Sequence, residues 1–213
     1  MPPTTDDPVA RLTATLPALT RLIQRLRPRI CPIKRVMAAV PPGSRILDVG
    51  CGSGLLLALL ADSGRIASGI GFDASATAIA LAQRRSGLPL SFVWQDAQAA
   101  WPAGPFEAVL LNDVLHHVPP AAQRAVVAQA VAALAPGGTL IIKDMATRPR
   151  LMATMNQLHD LVMARQWVHH LAGQVIADWC RDLGLRVAPV ERFHRFWYAH
   201  ELVVACKPSR PAA

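Results

Sequence analysis

Apolar residues follow two different rhythms along the chain. Between Val9 and Leu26 they recur at helical spacing, at Leu12, Leu16, Leu19, Leu22, Ile23 and Leu26, opposite Arg11, Arg21 and Arg25. This predicts a basic amphipathic helix that Pro17 kinks and Pro28 ends, either packed as a cap on whatever follows or lying on a membrane surface. Pro32 opens a second helix over 33–40, closed by Pro41-Pro42-Gly43. Residues 1–8 show no such pattern and are expected to be disordered. From Arg45 onward the rhythm changes to short, unbroken apolar runs alternating with helical stretches. The runs at 46–49, 68–72, 90–94, 107–111 and 139–142 predict strands, and the stretches at 75–85 and 120–134 predict helices. Such strands are buried on both faces, which implies a parallel sheet covered by helices on both sides. A helix over 174–183, stopped by Gly184, precedes two further strands at 185–193 and 198–207.

Composition narrows this picture. A chain of 213 residues suits one well-buried α/β domain, and no apolar run reaches the ~18 residues of a membrane span. The N-terminus lacks the basic and apolar segments of a secretory signal. Cys31, Cys51, Cys180 and Cys206 are scattered without metal-ligand spacing, as in a cytoplasmic protein with free thiols. His169 and His170 are adjacent rather than one helical turn apart, so no metal site is expected. The net charge of +8 is uneven: +6 in residues 1–45, −2 in 46–147 and +4 in 148–213. Two basic flanks around a near-neutral centre could steer an anionic partner, a carrier protein or a membrane surface, or could be solvated helix faces.

The chemistry concentrates at Ile46-Leu47-Asp48-Val49-Gly50-Cys51-Gly52-Ser53-Gly54, a strand that turns through three glycines into a helix. Polar residues close every predicted strand at the same edge: Asp48, Asp73, Asp96, Asn112-Asp113 and Asp144. In a doubly wound sheet that edge holds the ligand. The dinucleotide fingerprint GxGxxG fails here, because the third glycine comes one position early and Leu55 takes the sixth position. The Lys-Ser/Thr of a phosphate loop is missing too. A carboxylate at Asp48 would repel a phosphate and suits a ligand carrying an ammonium and a sulfonium.

These features, in this order, resemble class I S-adenosylmethionine (SAM)-dependent methyltransferases of the small-molecule, quinone-biosynthesis type. Asp73-Ala74, Asp96-Ala97, Leu110 to Val118 and Leu134 to Leu140 match the family's later motifs, so the resemblance spans residues 45–144. It implies a Rossmann-like sheet of seven strands finished by an antiparallel hairpin, with an N-terminal helical cap over 1–44 and the SAM-binding domain over 45–213. It also implies that Gly50, Cys51, Gly52 and Gly54 form the loop around the methionine part, with Asp48 supporting it or reaching the amino group. Asp73 and Ala74 would take the ribose, Asp96 and Ala97 the adenine, and Asn112 the amino group.

Methyl transfer to a hydroxyl or an acidic carbon needs a positioned acceptor and removal of a proton. All seven histidines follow residue 115. His117, where the family's fourth motif opens onto the methyl group, is the candidate base or else lines the cavity, and Asp144 is a candidate partner for base or acceptor or else a structural cap. Residues 145–172 exceed an ordinary connection, and Leu151, Met155, Leu158, Leu161 and Val162 predict a lid helix over the acceptor. The expected activity is methyl transfer to oxygen or carbon of a small-molecule, lipid-like or carrier-bound acceptor. A SAM-binding partner subunit without chemistry is the alternative, as is an RNA methyltransferase. Nucleic acid is the less expected acceptor, because Asn112-Asp113-Val114-Leu115 stands where base-amino methyltransferases carry Asn/Asp-Pro-Pro-aromatic.

Overall fold

Alternation of side chains along the strands sorts the core into two layers. The computed structural model describes residues 7–85, 87–148, 168–195 and 198–209. Five parallel strands, β1 (Ser44–Val49), β2 (Ile66–Asp73), β3 (Leu90–Trp94), β4 (Phe106–Asn112) and β5 (Leu134–Met145), form the sheet with three antiparallel ones. These are β6 (Arg186–Val187), β7 (Glu191–Arg195) and β8 (Tyr198–Cys206), and the order is β3-β2-β1-β4-β5-β8-β6 with β7 also on β8. The doubly wound sheet with its terminal antiparallel hairpin is therefore present. The strand expected over 185–193 is in two pieces that both pair β8, which makes the count eight.

Successive strand residues face opposite ways. Leu47, Val49, Val109, Leu111, Leu140 and Ile142 pack on one side against α6 (Pro120–Ala133) and α7 (Gly173–Asp182). Ile46, Ala108, Leu110 and Ile141 pack on the other side against α3 (Ile33–Ala39) and α4 (Leu55–Asp62). Six consecutive residues of α4, Leu55 to Leu60, are buried, so this helix is covered almost all round. A short α5 (Ala76–Ala82), capped by the Ser75 hydroxyl, joins β2 to β3.

The N-terminal region departs from expectation. Two helices, α1 (Pro8–Leu12) and α2 (Ala18–Ile30), replace the single kinked one, and Pro17 sits at the N-cap of the second. Pro28 lies inside the last turn of α2, and the Cys31 N–H still closes on the Arg27 carbonyl at 2.7 Å. A proline near a helix end loses only one ladder bond, so the helix runs on to Ile30. The Asp7 side chain caps α1 and Pro8 opens it, so the disorder expected for residues 1–8 does not include these two. The lid helix expected within 145–172 falls largely on residues 149–167, outside the described residues.

Candidate active site

The first strand delivers the chain into a tight turn in which Gly50, Gly52 and Gly54 all have positive φ, at 67°, 55° and 71°. A Cβ on Gly50 would lie 2.4 Å from Val114 Cγ2, and one on Gly54 would lie 2.6 Å from Phe92 Cε1, so only glycine fits both conformation and space. Asp73 pins the turn to the end of β2: its Oδ2 accepts the Gly52 N–H and its Oδ1 the Ser75 N–H, each at 2.8 Å. Arg85 ties the turn to the N-terminal helices by donating to the carbonyls of Ser53, at 2.9 Å, and Leu12, at 2.7 Å.

A cavity of about 480 Å³ opens beside this turn, lined by Gly50, Asp73, Ala74, Asp96, Ala97 and His117 among others. Asp96 lies two residues past β3, and its Oδ1 accepts the Gln98 N–H at 2.7 Å. Asp48, Cys51 and Asn112 line a narrow cleft of about 20 Å³ that also touches Gly50 and is closed by Arg27 from α2. Gly52 and Gly54 line neither space and serve the turn. Asp48 lies within β1 rather than beyond it and is 2% exposed. Burial pushes its carboxyl up to about 7, opposed by Arg27 and reinforced by Asp73. Burial also drives the Cys51 thiol far above its ordinary range, which leaves it protonated.

A second cavity of about 260 Å³ shares Asp113 and His117 with the first. Ile23, Arg27, Ile30, Cys31, His116, Met145, Tyr198 and His200 complete its wall. Lys143 and Asp144 are neighbours within β5, so they face opposite ways. Lys143, fully buried, places its Nζ 2.5 Å from Asp113 Oδ1. Asp113 has a φ of 59°, unusual for a residue with a side chain, and also accepts from Cys31 Sγ at 3.7 Å. Its burial alone would raise its pKa, but Lys143, His116 and Arg27 together hold it well below the usual carboxylate range.

On the other side Asp144 accepts from the backbone of His116 and Met145 and pairs with Nδ1 of the His116 ring. His116 is 3% exposed and stands at the start of the second cavity beside His117, ring centroids 4.1 Å apart. Burial works against the Asp144 charge, yet the His116 ring outweighs it and lowers the carboxyl's pKa. Asp144 is thus bound to His116 rather than to His117, and it lies inside β5 rather than past its end. His200 is held neutral down to about 4 by burial, with Lys143 adding to the effect, and its Nε2 donates to the Ile30 carbonyl at 3.0 Å.

Sequence reasoning missed Arg27, Lys143 and His116. A lysine inside the run Ile141-Ile142-Lys143-Asp144 was a usable signal, because a charge in a doubly buried strand demands a partner. Arg27 gave no comparable sign among the other arginines of its helix. The first of two adjacent histidines could be told from the second only by the turn of 3₁₀ helix at Leu115–His117.

A doubly wound sheet with a glycine turn after β1 and carboxylates after the next two strands defines a Rossmann-like, nucleoside-binding α/β domain. A family model described as a methyltransferase domain matches residues 17–190, and the chain belongs to that family. The ubiquinone biosynthesis O-methyltransferase of Methylococcus capsulatus is 31% identical over 160 residues. That match covers 70% of this chain and 66% of the relative, so the chain spans just under two thirds of the relative's length. An O-methyltransferase family protein from Burkholderia thailandensis superposes with a TM-score of 0.70 at 23% identity, over 90% of this chain and 58% of that one. The magnesium protoporphyrin IX methyltransferase of Synechocystis PCC 6803, solved with bound SAH, gives 0.69 at 20% identity, over 94% and 93%. Both superpositions establish the fold.

Proposed function

We propose that this chain is a SAM-dependent methyltransferase that acts on a hydroxyl oxygen of a small, largely apolar molecule. The observation that carries the reading is the buried His116–Asp144 pair at the wall of a second cavity contiguous with the glycine-turn cavity. The O-methyltransferases among its relatives favour oxygen over carbon.

The first cavity fits SAM on its donor set. Asp73 would accept from the ribose diol and Asp96 from the adenine, and Gly50 leaves room for Val114, which lines the same cavity. Ala74 and Ala97 supply the small apolar walls of the nucleoside pocket. Cys51 would offer backbone, Gly52 and Gly54 keep the turn, and Asn112 and Asp48 would face the methionine amino group, with Arg27 beside them as a cation for its carboxylate. Bound SAM supplies a methyl group on a sulfonium, open to in-line displacement by the acceptor oxygen.

The chain's own residues do the rest. Asp144 holds the His116 ring through Nδ1, fixes its tautomer and stabilises the imidazolium that forms when the ring takes the acceptor proton. His117, common to both cavities, lines the path between methyl donor and acceptor. Met145 and Tyr198, both buried, and Ile30 give the reacting oxygen an apolar wall. A non-catalytic SAM-binding subunit would have no need of this pair. An acceptor held on a carrier would present the same hydroxyl to the same cavity.

The test is transfer of labelled methyl from SAM to a panel of phenols, catechols and quinols, with mass spectrometry of the products. The reading requires O-methylated product that disappears in His116→Ala while SAM still binds in calorimetry. Equal turnover by wild type and variant would remove His116 from the chemistry.

A further inference from the structure

The second helix is built the opposite way round from a cap. Its polar residues face the domain: Gln24 is buried, and Arg27 closes the cleft beside Asp48. Its large apolar residues face out, with Leu19, Leu22, Ile23 and Leu26 exposed by 70%, 55%, 44% and 42%. Their spacing of three, one and three residues puts them in a single stripe along one side of the helix. A contiguous stripe of this size on water marks a surface that meets something apolar. Elsewhere among the described residues the exposed large apolar side chains are Val93, Trp94 and Val175.

The charge beside the stripe says what that apolar partner is. Arg21, Arg25 and Arg29 follow one edge of the helix, and Ala18 to Ile30 contains no acidic residue. Arg25 and Arg29 are exposed and stand one turn from Leu22 and Leu26. An apolar stripe bordered by arginines, on a helix with a strong difference between its faces, is the pattern of a helix lying in a membrane surface. Among the described residues no helix is long and apolar enough to cross a membrane. The stripe also leads inward, because Ile23 belongs both to it and to the wall of the second cavity, joined there by Ile30 two turns along the same side.

We propose that α2 is an interfacial helix that lays its Leu19–Leu22–Ile23–Leu26 stripe into a bilayer carrying anionic headgroups. The second cavity then opens at the membrane surface, and an acceptor dissolved in the bilayer enters it past Ile23 without crossing water. The functional sense of this docking rests on the reading of that cavity as the acceptor site. The docking itself does not.

The experiment is co-sedimentation of the full chain with phosphatidylcholine vesicles, with and without ~30% phosphatidylglycerol. Wild type should bind the anionic vesicles roughly tenfold more strongly than the neutral ones, with binding falling as salt rises. Leu22→Asp/Leu26→Asp should lose that binding about tenfold or more while SAM affinity in calorimetry stays that of wild type. Arg25→Gln/Arg29→Gln should lose several-fold and flatten the salt dependence. A Leu22→Cys variant carrying an environment-sensitive dye should report water without vesicles and an apolar medium with them. The proposal is overturned by equal binding of wild type and Leu22→Asp/Leu26→Asp, or by no binding at all. A lipid-free dimer that Leu22→Asp/Leu26→Asp dissolves would mean a second copy covers the stripe, and a buried dye signal without vesicles would mean the chain covers it itself. Each of those outcomes also overturns it. Methyl transfer without vesicle binding would sink the docking and leave the cavity reading standing; vesicle binding without methyl transfer would do the reverse.

Discussion

The two cavities are made of different material. The first is shaped by backbone: a positive-φ glycine turn, the ends of β2 and β3, and short side chains whose carboxylates cap neighbouring N–H groups. The second is shaped by long or ionisable side chains brought from four places in the chain, α2, the turn after β4, the end of β5 and the start of β8. Two ion pairs stand at its wall, Lys143 with Asp113 and Asp144 with His116. Recognition by backbone tolerates changes in neighbouring side chains, whereas recognition by buried pairs fails when either partner is removed. The first cavity should therefore tolerate substitution around it better than the second.

That contrast can be broken in four ways, beginning with the largest effect. His116→Ala should lower kcat by ~10²–10⁴-fold and leave SAM affinity within about twofold; a parallel loss of SAM binding would show that the cavities are not separable. Lys143→Met takes from Asp113 its ion-pair partner, and should destabilise the fold by up to ~3 kcal/mol in urea denaturation. Unaltered stability there would mean that Asp113 reaches water. Asp73→Ala should weaken SAM several-fold, ~1–2 kcal/mol in calorimetry, with the acceptor's KM unchanged; undiminished affinity would end the ribose assignment. The smallest effect is a pH dependence. Asp48 keeps its proton up to about 7 in the fold but only to about 3.8 when unfolded, so its contribution to stability is complete below 3.8 and lost as pH rises through 7. Relative to Asp48→Asn, the wild type should thus lose Tm by a few degrees between pH 5 and pH 8. A constant difference across that range would place the Asp48 carboxyl at its ordinary pKa.

The same contrast explains what could be read in advance. Apolar runs of four to six residues and the glycine spacing are local signals, so the parallel sheet, the turn and the positions of Asp73 and Asp96 followed from the chain alone. Gly50, Asp73, Ala74, Asp96 and Ala97 do line one cavity. Periodicity also gave a helix with an apolar stripe between Val9 and Leu26, but not the direction the stripe faces. That direction is fixed by what lies beneath, and beneath α2 lies the polar cleft of Asp48, Cys51 and Asn112. The partner of Asp144 was equally hidden, since it depends on a register across 28 residues and on one turn of 3₁₀ helix. Long-range charge pairing leaves no periodic trace in a sequence.

Asp113 belongs to both cavities, and its backbone is held in a left-handed conformation by Lys143 on β5 and Cys31 after α2. A wall with two tenants transmits occupancy in both directions. Whatever free energy an acceptor gains from finding SAM already in place, SAM gains equally from finding the acceptor. This predicts synergy between the two ligands, visible as a change in SAM affinity when a non-reactive acceptor analogue is present. Identical affinities with and without the analogue would make Asp113 a partition and not a link.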